Sequence, residues 1–365
     1  MARCILALAA VVSAAAARAN DAPTPAADLD QVVARAVAYA EAAQDEDGAY
    51  SPYVGPAVTA LVATGLMDNG RTPADPVVAR SLAYVARFVQ EDGGVYGPES
   101  MYRNYETCVA IQCFTRASEL PGGEAYAAPL AAAEAFVKEL QWNEAEGHDP
   151  TSTSYGGAGY GRHRRPDLSN TAFLVEALHS LGRGEDDPAI QRALKFVSRT
   201  QNLESEHNTT PFSTRVNDGG FYYTPAAGGS SQAGETAAGG LRSYGSMTYA
   251  GLKSMIYAGV GPDDPRVRAA VAWLQKHYTL EENPGMGSSG YYYYLHTFAK
   301  ALGAVGDDEF IDADGARRDW RAELVAKLAE QQRPDGSWVN ANERWLEADP
   351  NLSTAYALLA LARCR

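Results

Sequence analysis

Cysteine is scarce, with only Cys4, Cys108, Cys113 and Cys364 in 365 residues. None falls in a C-x-x-C pair, which argues against a zinc cluster. The three that follow the N-terminal segment make an odd count, which argues against a disulfide framework. Cys108 and Cys113 lie on one apolar stretch and read as buried packing. Positive charge is also short: 31 Lys plus Arg against 45 Asp plus Glu give a net charge of −14. The cationic footprint that nucleic-acid binding requires is therefore missing. No long basic run is present to hold an anionic membrane surface, while attachment through an apolar plateau stays open. Past residue 19 no apolar run approaches the roughly 20 residues of a membrane span. No alternating stretch is long enough to read as a strand.

The one continuous apolar run sits at the start of the chain. Arg3 precedes Cys4 to Ala17, a run broken only by Ser13, and Ala17-Arg18-Ala19 fits an A-x-A cleavage site. Residues 1–19 read as a secretory signal peptide and 20–28 as a linker, so a secreted or periplasmic protein is expected. Residues 29–365 read as one domain built from a repeated unit.

In each unit a helical stretch ends at a Gln, an Asp-Gly turn with an aromatic residue follows, and a second, more apolar helix begins. The clearest copies are Gln44 with Asp47-Gly48-Ala49-Tyr50, Gln90 with Asp92-Gly93-Gly94-Val95-Tyr96, and Gln332 with Asp335-Gly336-Ser337-Trp338. A fourth is split by an insertion between Gln201 and Asp218-Gly219-Gly220-Phe221. Gln141 and Gln275 open two degenerate copies. Glycine leaves the helix at positive φ, Asp bonds free amides near the turn, the ring covers the helix end, and Gln ties neighbouring units. The second helices carry Thr59, Thr107, Thr171, Thr248, Thr297 and Thr354 near their starts. The first helices are expected over 29–43, 76–90, 124–141, 187–201, 264–277 and 316–332. Twelve alternating helices with no polar capping repeat predict an all-α, closed (α/α)6 toroid with the Thr-bearing helices inside.

The repeats resemble the QW-type repeats of squalene–hopene cyclases and the related repeats of protein prenyltransferases, over about 28–364. That resemblance implies a ligand cavity at one mouth of the inner barrel, near the inner-helix N-termini. The residues before the six threonines, Val58, Glu106, Asn170, Met247, His296 and Ser353, are expected to project there. The hopene cyclases' D-x-D-D-T-A motif aligns with Asp167-Leu168-Ser169-Asn170-Thr171-Ala172, so Ser169 stands where the proton donor would be. A hydroxyl cannot protonate an alkene, and Asp167 reads first as a helix cap. Of the prenyltransferase zinc ligands only a His296-like position survives, with Ser246 and Thr248 at the others, so no metal and no cofactor are expected.

His296 and Glu106 are the candidate catalytic pair, an acid and a base facing each other across the ring. Asn170, Tyr244, Met247, Tyr249, Tyr294, Arg242 and Tyr102 are the expected ligand-binding residues, with tyrosines that can stack on a terpenoid or a sugar. The insertion over 202–243 and the loop over 142–166, with Arg162, His163, Arg164 and Arg165, are expected on the mouth side. A hydrophobic, isoprenoid-type ligand leads. A polysaccharide lyase or glycan binder, using His296 with Arg103 or Arg242, is the alternative, and a non-catalytic scaffold is the third reading.

Overall fold

The computed structural model describes residues 28–161 and 165–365. The expected signal peptide, most of the linker, and Arg162 to Arg164 lie outside the described residues. Among those described, twelve α-helices alternate between two layers. The outer layer is α1 (Leu29–Ala43), α3 (Pro76–Ala86), α5 (Leu130–Glu139), α7 (Pro188–Arg199), α9 (Pro265–Lys276) and α11 (Trp320–Gln331). The inner layer is α2 (Ala57–Asp68), α4 (Arg103–Ser118), α6 (Leu168–Ser180), α8 (Gly245–Tyr257), α10 (Tyr291–Val305) and α12 (Pro350–Leu361). Each inner helix packs on the next, and α12 packs on α2, so the ring is closed. Inner helices are buried nearly all round, as in α12, whose residues Leu352 to Leu361 are all buried. That pattern belongs to a helix enclosed by others.

The repeat motif is what stitches this ring. Gln44 Nε2 donates to the carbonyl of Gly48 in its own turn and to Val77 at the start of the next outer helix. Gln141 does the same with Gly156 and Ala189, and Gln201 with Gly219 and Arg266. Gln332 bonds Gly336 and then Val32 of α1, which fastens the last unit to the first. The threonines receive the turn: Thr59, Thr107, Thr171, Thr248 and Thr354 each accept the amide of Tyr50, Val95, Ala158, Phe221 and Trp338 respectively. Thr297, in a degenerate unit, instead donates to the carbonyls of Tyr293 and Tyr294. The aromatic residue closes the outer helix, as Tyr50 OH does on the Ala40 carbonyl and Trp338 Nε1 on that of Leu328.

Three outer helices are shorter than the sequence pattern predicts. Helix α3 stops at Ala86 because Phe88 and Gln90 pair with Tyr96 and Gly94 across the turn. Pro129 separates a short 3₁₀ turn, Glu124–Ala127, from α5. The sixth begins at Trp320, since Arg317–Arg318 pairs antiparallel with Phe310–Ile311 in a two-residue ribbon. No helix among the described residues is long and apolar enough to cross a membrane.

Candidate functional site

A cavity of about 410 Å³ opens at the N-terminal mouth of the inner barrel, within the range of about 300–1,000 Å³ usual for small-molecule sites. All six inner helices reach it, through Ala57 and Val58, Glu106, Asn170, Met247, Tyr293 and Tyr356 among others. The two long loops complete it on the expected side, with Tyr160 from the third unit and Tyr223 from the insertion. Trp345 and Leu346 cover it from the loop before α12. Among the described residues, seven tyrosines, Phe173 and Trp345 line it, and no Lys, Arg or His does. Ser169 is also in the wall, its hydroxyl 3.0 Å from that of Tyr293.

Two carboxyls share this wall. Glu106 is 3 % exposed; it accepts the Gly97 amide at 2.8 Å and the Ser100 hydroxyl at 2.7 Å. Burial pushes its pKa up, and those bonds pull against the shift. Glu347 is held by the Tyr293 amide at 2.8 Å and by Asn340 Nδ2 at 2.7 Å. It thus caps α10 from another segment, where first-turn amides lack intrahelical partners; burial raises its pKa too. Behind the wall, Asp167 caps α6 by accepting the Asn170 amide at 2.9 Å and Asn170 Nδ2 at 2.8 Å. Burial pushes the Asp167 carboxyl up to about 6. Fixed this way, Asn170 leaves its buried Oδ1 without a partner.

Deeper in the barrel the chemistry changes. Glu176 of α6 pairs with Lys253 of α8 and with Lys300 of α10, the second at 2.5 Å. Lys300 also donates to Gln112 of α4. Glu176 lies eight residues past Leu168, about 12 Å along the axis at 1.5 Å per residue. Against the penalty of burial, the two ammoniums hold Glu176 well below the usual carboxylate range. This ion cluster closes the barrel beneath the aromatic cavity.

Of the expected mouth residues, Val58, Glu106, Asn170 and Met247 line the cavity together with Tyr102 and Tyr244. His296 does not. It lies one turn below Tyr293, stacked on Tyr356 at 5.4 Å between centroids, and its Nδ1 has no partner. Burial and the Lys300 charge drive its pKa well down, so it is a neutral imidazole. The structure therefore puts one member of the expected acid/base pair, Glu106, in the cavity wall and leaves His296 outside it. Ser353 is spent on the Glu347 carbonyl. Tyr249 and Tyr294 point away from the cavity, packing on Phe298, with the Tyr294 hydroxyl on the Thr279 carbonyl. Their positions, two residues past Met247 and one past Tyr293, turn them about 200° and 100° round their helices. Arg242 is exposed within the insertion and bonds the Glu235 carbonyl. Arg103 stacks on Tyr96, which is not in the wall. Glu347, Tyr293 and Trp345 were not anticipated from sequence. The first and last sit in a loop with no repeat signal, and Tyr293 stood unmarked in a run of four tyrosines.

Fold and cavity together define an α/α toroid with an aromatic-lined cavity at the mouth of its inner barrel. No family model matches the chain, and no curated protein matches it. Solved structures share the fold. A variant of the type II terpene cyclase MstE from Scytonema, in its apo form, matches with a TM-score of 0.54 and 17 % identity over 92 % of this chain and 96 % of that one. Another MstE variant, in complex with geranylgeranyl dihydroxybenzoate, matches with a TM-score of 0.53 and 16 % identity over 92 % and 98 %. Cellobiose 2-epimerase from Bacillus thermoamylovorans matches with a TM-score of 0.54 and 10 % identity over 91 % and 98 %. The chain thus has the fold of terpene-cyclase-like toroids, a fold it shares with carbohydrate-active enzymes.

Proposed function

We propose that this protein is an exported binder of a hydrophobic, isoprenoid-type ligand, held in the inner-barrel cavity. The observation that carries the reading is the lining: nine aromatic rings with aliphatic Val54, Val58, Leu346 and Leu352, and no Lys or Arg among the described residues. Such a wall removes apolar surface from water at about 25 cal/mol per Å² and, among the described residues, offers a uronate no cation. The lyase reading also loses its base and cation, because His296, Arg103 and Arg242 all lie outside the wall. The MstE complex, with a geranylgeranyl ligand, supports the same choice. Ser169 at the position of the cyclases' proton donor supports binding, or chemistry with another acid, over ordinary alkene protonation.

Isothermal titration of the full chain with farnesol and with an oligouronate tests this. Farnesol is expected to bind at micromolar concentration, and to lose at least tenfold in affinity in Met247→Trp, whose indole fills the cavity. Saturable binding of the oligouronate with no binding of farnesol refutes the reading.

A further inference from the structure

The ligand's polar end can be read from the same wall, and this inference rests on the hydrophobic-ligand reading above. The polar groups around the cavity are two carboxyls, the Asn170 amide, Ser169, Ser246 and tyrosine hydroxyls. Several are already committed. The Ser169 hydroxyl lies against Tyr293, and Ser246 Oγ accepts from Asn283 Nδ2. Asn170 has both amide hydrogens on the side of its Nδ2, which is turned to Asp167, so what it leaves over is an acceptor. Turning that amide over would set Oδ1 against the Asp167 carboxylate. Asn170 is only 1 % exposed, and a buried acceptor without a donor costs about 1–3 kcal/mol. Glu106 and Glu347 each have lone pairs beyond the bonds they make.

Among the described residues the cavity is therefore rich in acceptors and π faces and has no cation in its wall. Arg165 and Arg344 stack on Tyr223 and Trp345 at 5.9 and 4.2 Å without entering the wall. Aromatic faces attract a cation most strongly where water is excluded, and a carboxyl in a desolvated wall is relieved by one.

We infer that the ligand carries a protonated amine: an amphiphile whose apolar body fills the aromatic cavity and whose ammonium is drawn by the π faces and by Glu106 and Glu347. An alcohol of the same length offers a single hydrogen and no charge, and a carboxylate is repelled by both glutamates.

Decylammonium, decanol and decanoate, titrated calorimetrically into the full chain at pH 7 below their aggregation limits, separate these cases. The ammonium is expected to bind about tenfold more tightly than decanol, the equivalent of one strong cation–π or charge-assisted contact, with decanoate weakest. Glu106→Gln and Glu347→Gln are each expected to remove most of that preference. The preference is read in each variant as the ratio of ammonium to decanol affinity, so a wall loosened for both ligands with the ratio still near tenfold overturns the inference. Equal or tighter binding of decanol or decanoate overturns the inference while leaving the hydrophobic cavity standing. Failure of all three to bind overturns the hydrophobic-ligand reading, and the inference with it.

Discussion

Replacing Glu176 with Gln should be far more damaging than its size suggests. The side chain of Lys253 is fully buried and that of Lys300 is 10 % exposed, and Glu176 is the one carboxylate that pairs with both among the described residues. Glu176→Gln keeps the volume and a hydrogen-bonding carbonyl but leaves two ammoniums in a desolvated barrel with no counter-charge. Breaking a buried pair in this way costs about 3–5 kcal/mol. An unfolding entropy of about 2.1 cal/mol/K per residue amounts to about 0.7 kcal/mol/K for a ring of this size, so Tm should fall by about 4–7 °C. Differential scanning calorimetry at pH 7 reads this directly. The triple variant Glu176→Met, Lys253→Met, Lys300→Met removes every charge and should recover most of the loss. Burial lowers the Lys253 pKa to about 8. Above that value the folded state sheds its proton while the unfolded lysine keeps it up to about 10.4, so stability rises with pH across that window. Glu176 holds that pKa up, so in Glu176→Gln the lysine sheds its proton at lower pH than in the wild type, and the deficit should narrow as pH rises toward 8 and stay level above it. A Tm shift under 1 °C, or a triple variant as unstable as the single one, would refute the unpaired-charge reasoning.

Gly336 sits at φ +91°, and a Cβ there would stand 2.2 Å from the Arg35 carbonyl oxygen of α1. Gly336→Ala should cost more than about 2 kcal/mol in chemical denaturation, because the clash adds to the strain of a positive φ. Gly182→Ala, at φ +75° with nothing within 4 Å, should show only the strain of about 1–2 kcal/mol. Burial raises the Asp167 pKa from the ordinary 3.8 to about 6 in the folded state. Between those values the folded state holds the extra proton, so stability falls as pH rises from about 4 to 6. Equilibrium unfolding across that range should show the slope, and Asp167→Asn should flatten it.

Much of this architecture is legible in the sequence because each repeat states it again. The Gln, the Asp-Gly turn and the Thr mark a helix end, a tight turn and an inner-helix start, and the structure spends each on a bond between units. Counting from the threonines was enough to put Val58, Glu106, Asn170 and Met247 in the wall. It failed where depth or phase mattered. His296 shares a helix face with Tyr293 but lies a turn lower, and Tyr249 and Tyr294 have the right chemistry on the wrong side of their helices. Glu347 and Trp345 come from a loop whose path no periodicity encodes; Trp345 and Leu346 both stand at positive φ. The ion cluster did leave a trace, since Glu176, Lys253 and Lys300 each interrupt a buried inner helix. Nothing in a single sequence says that three such interruptions meet.

The proposed function stands or falls on whether the aromatic cavity at the barrel mouth holds a hydrophobic ligand. Native mass spectrometry of the full chain with farnesol, beside Met247→Trp under the same conditions, tests it most directly. One farnesol adduct is expected on the wild type and none on the variant. An adduct of equal intensity on both proteins, or none on either, would contradict it.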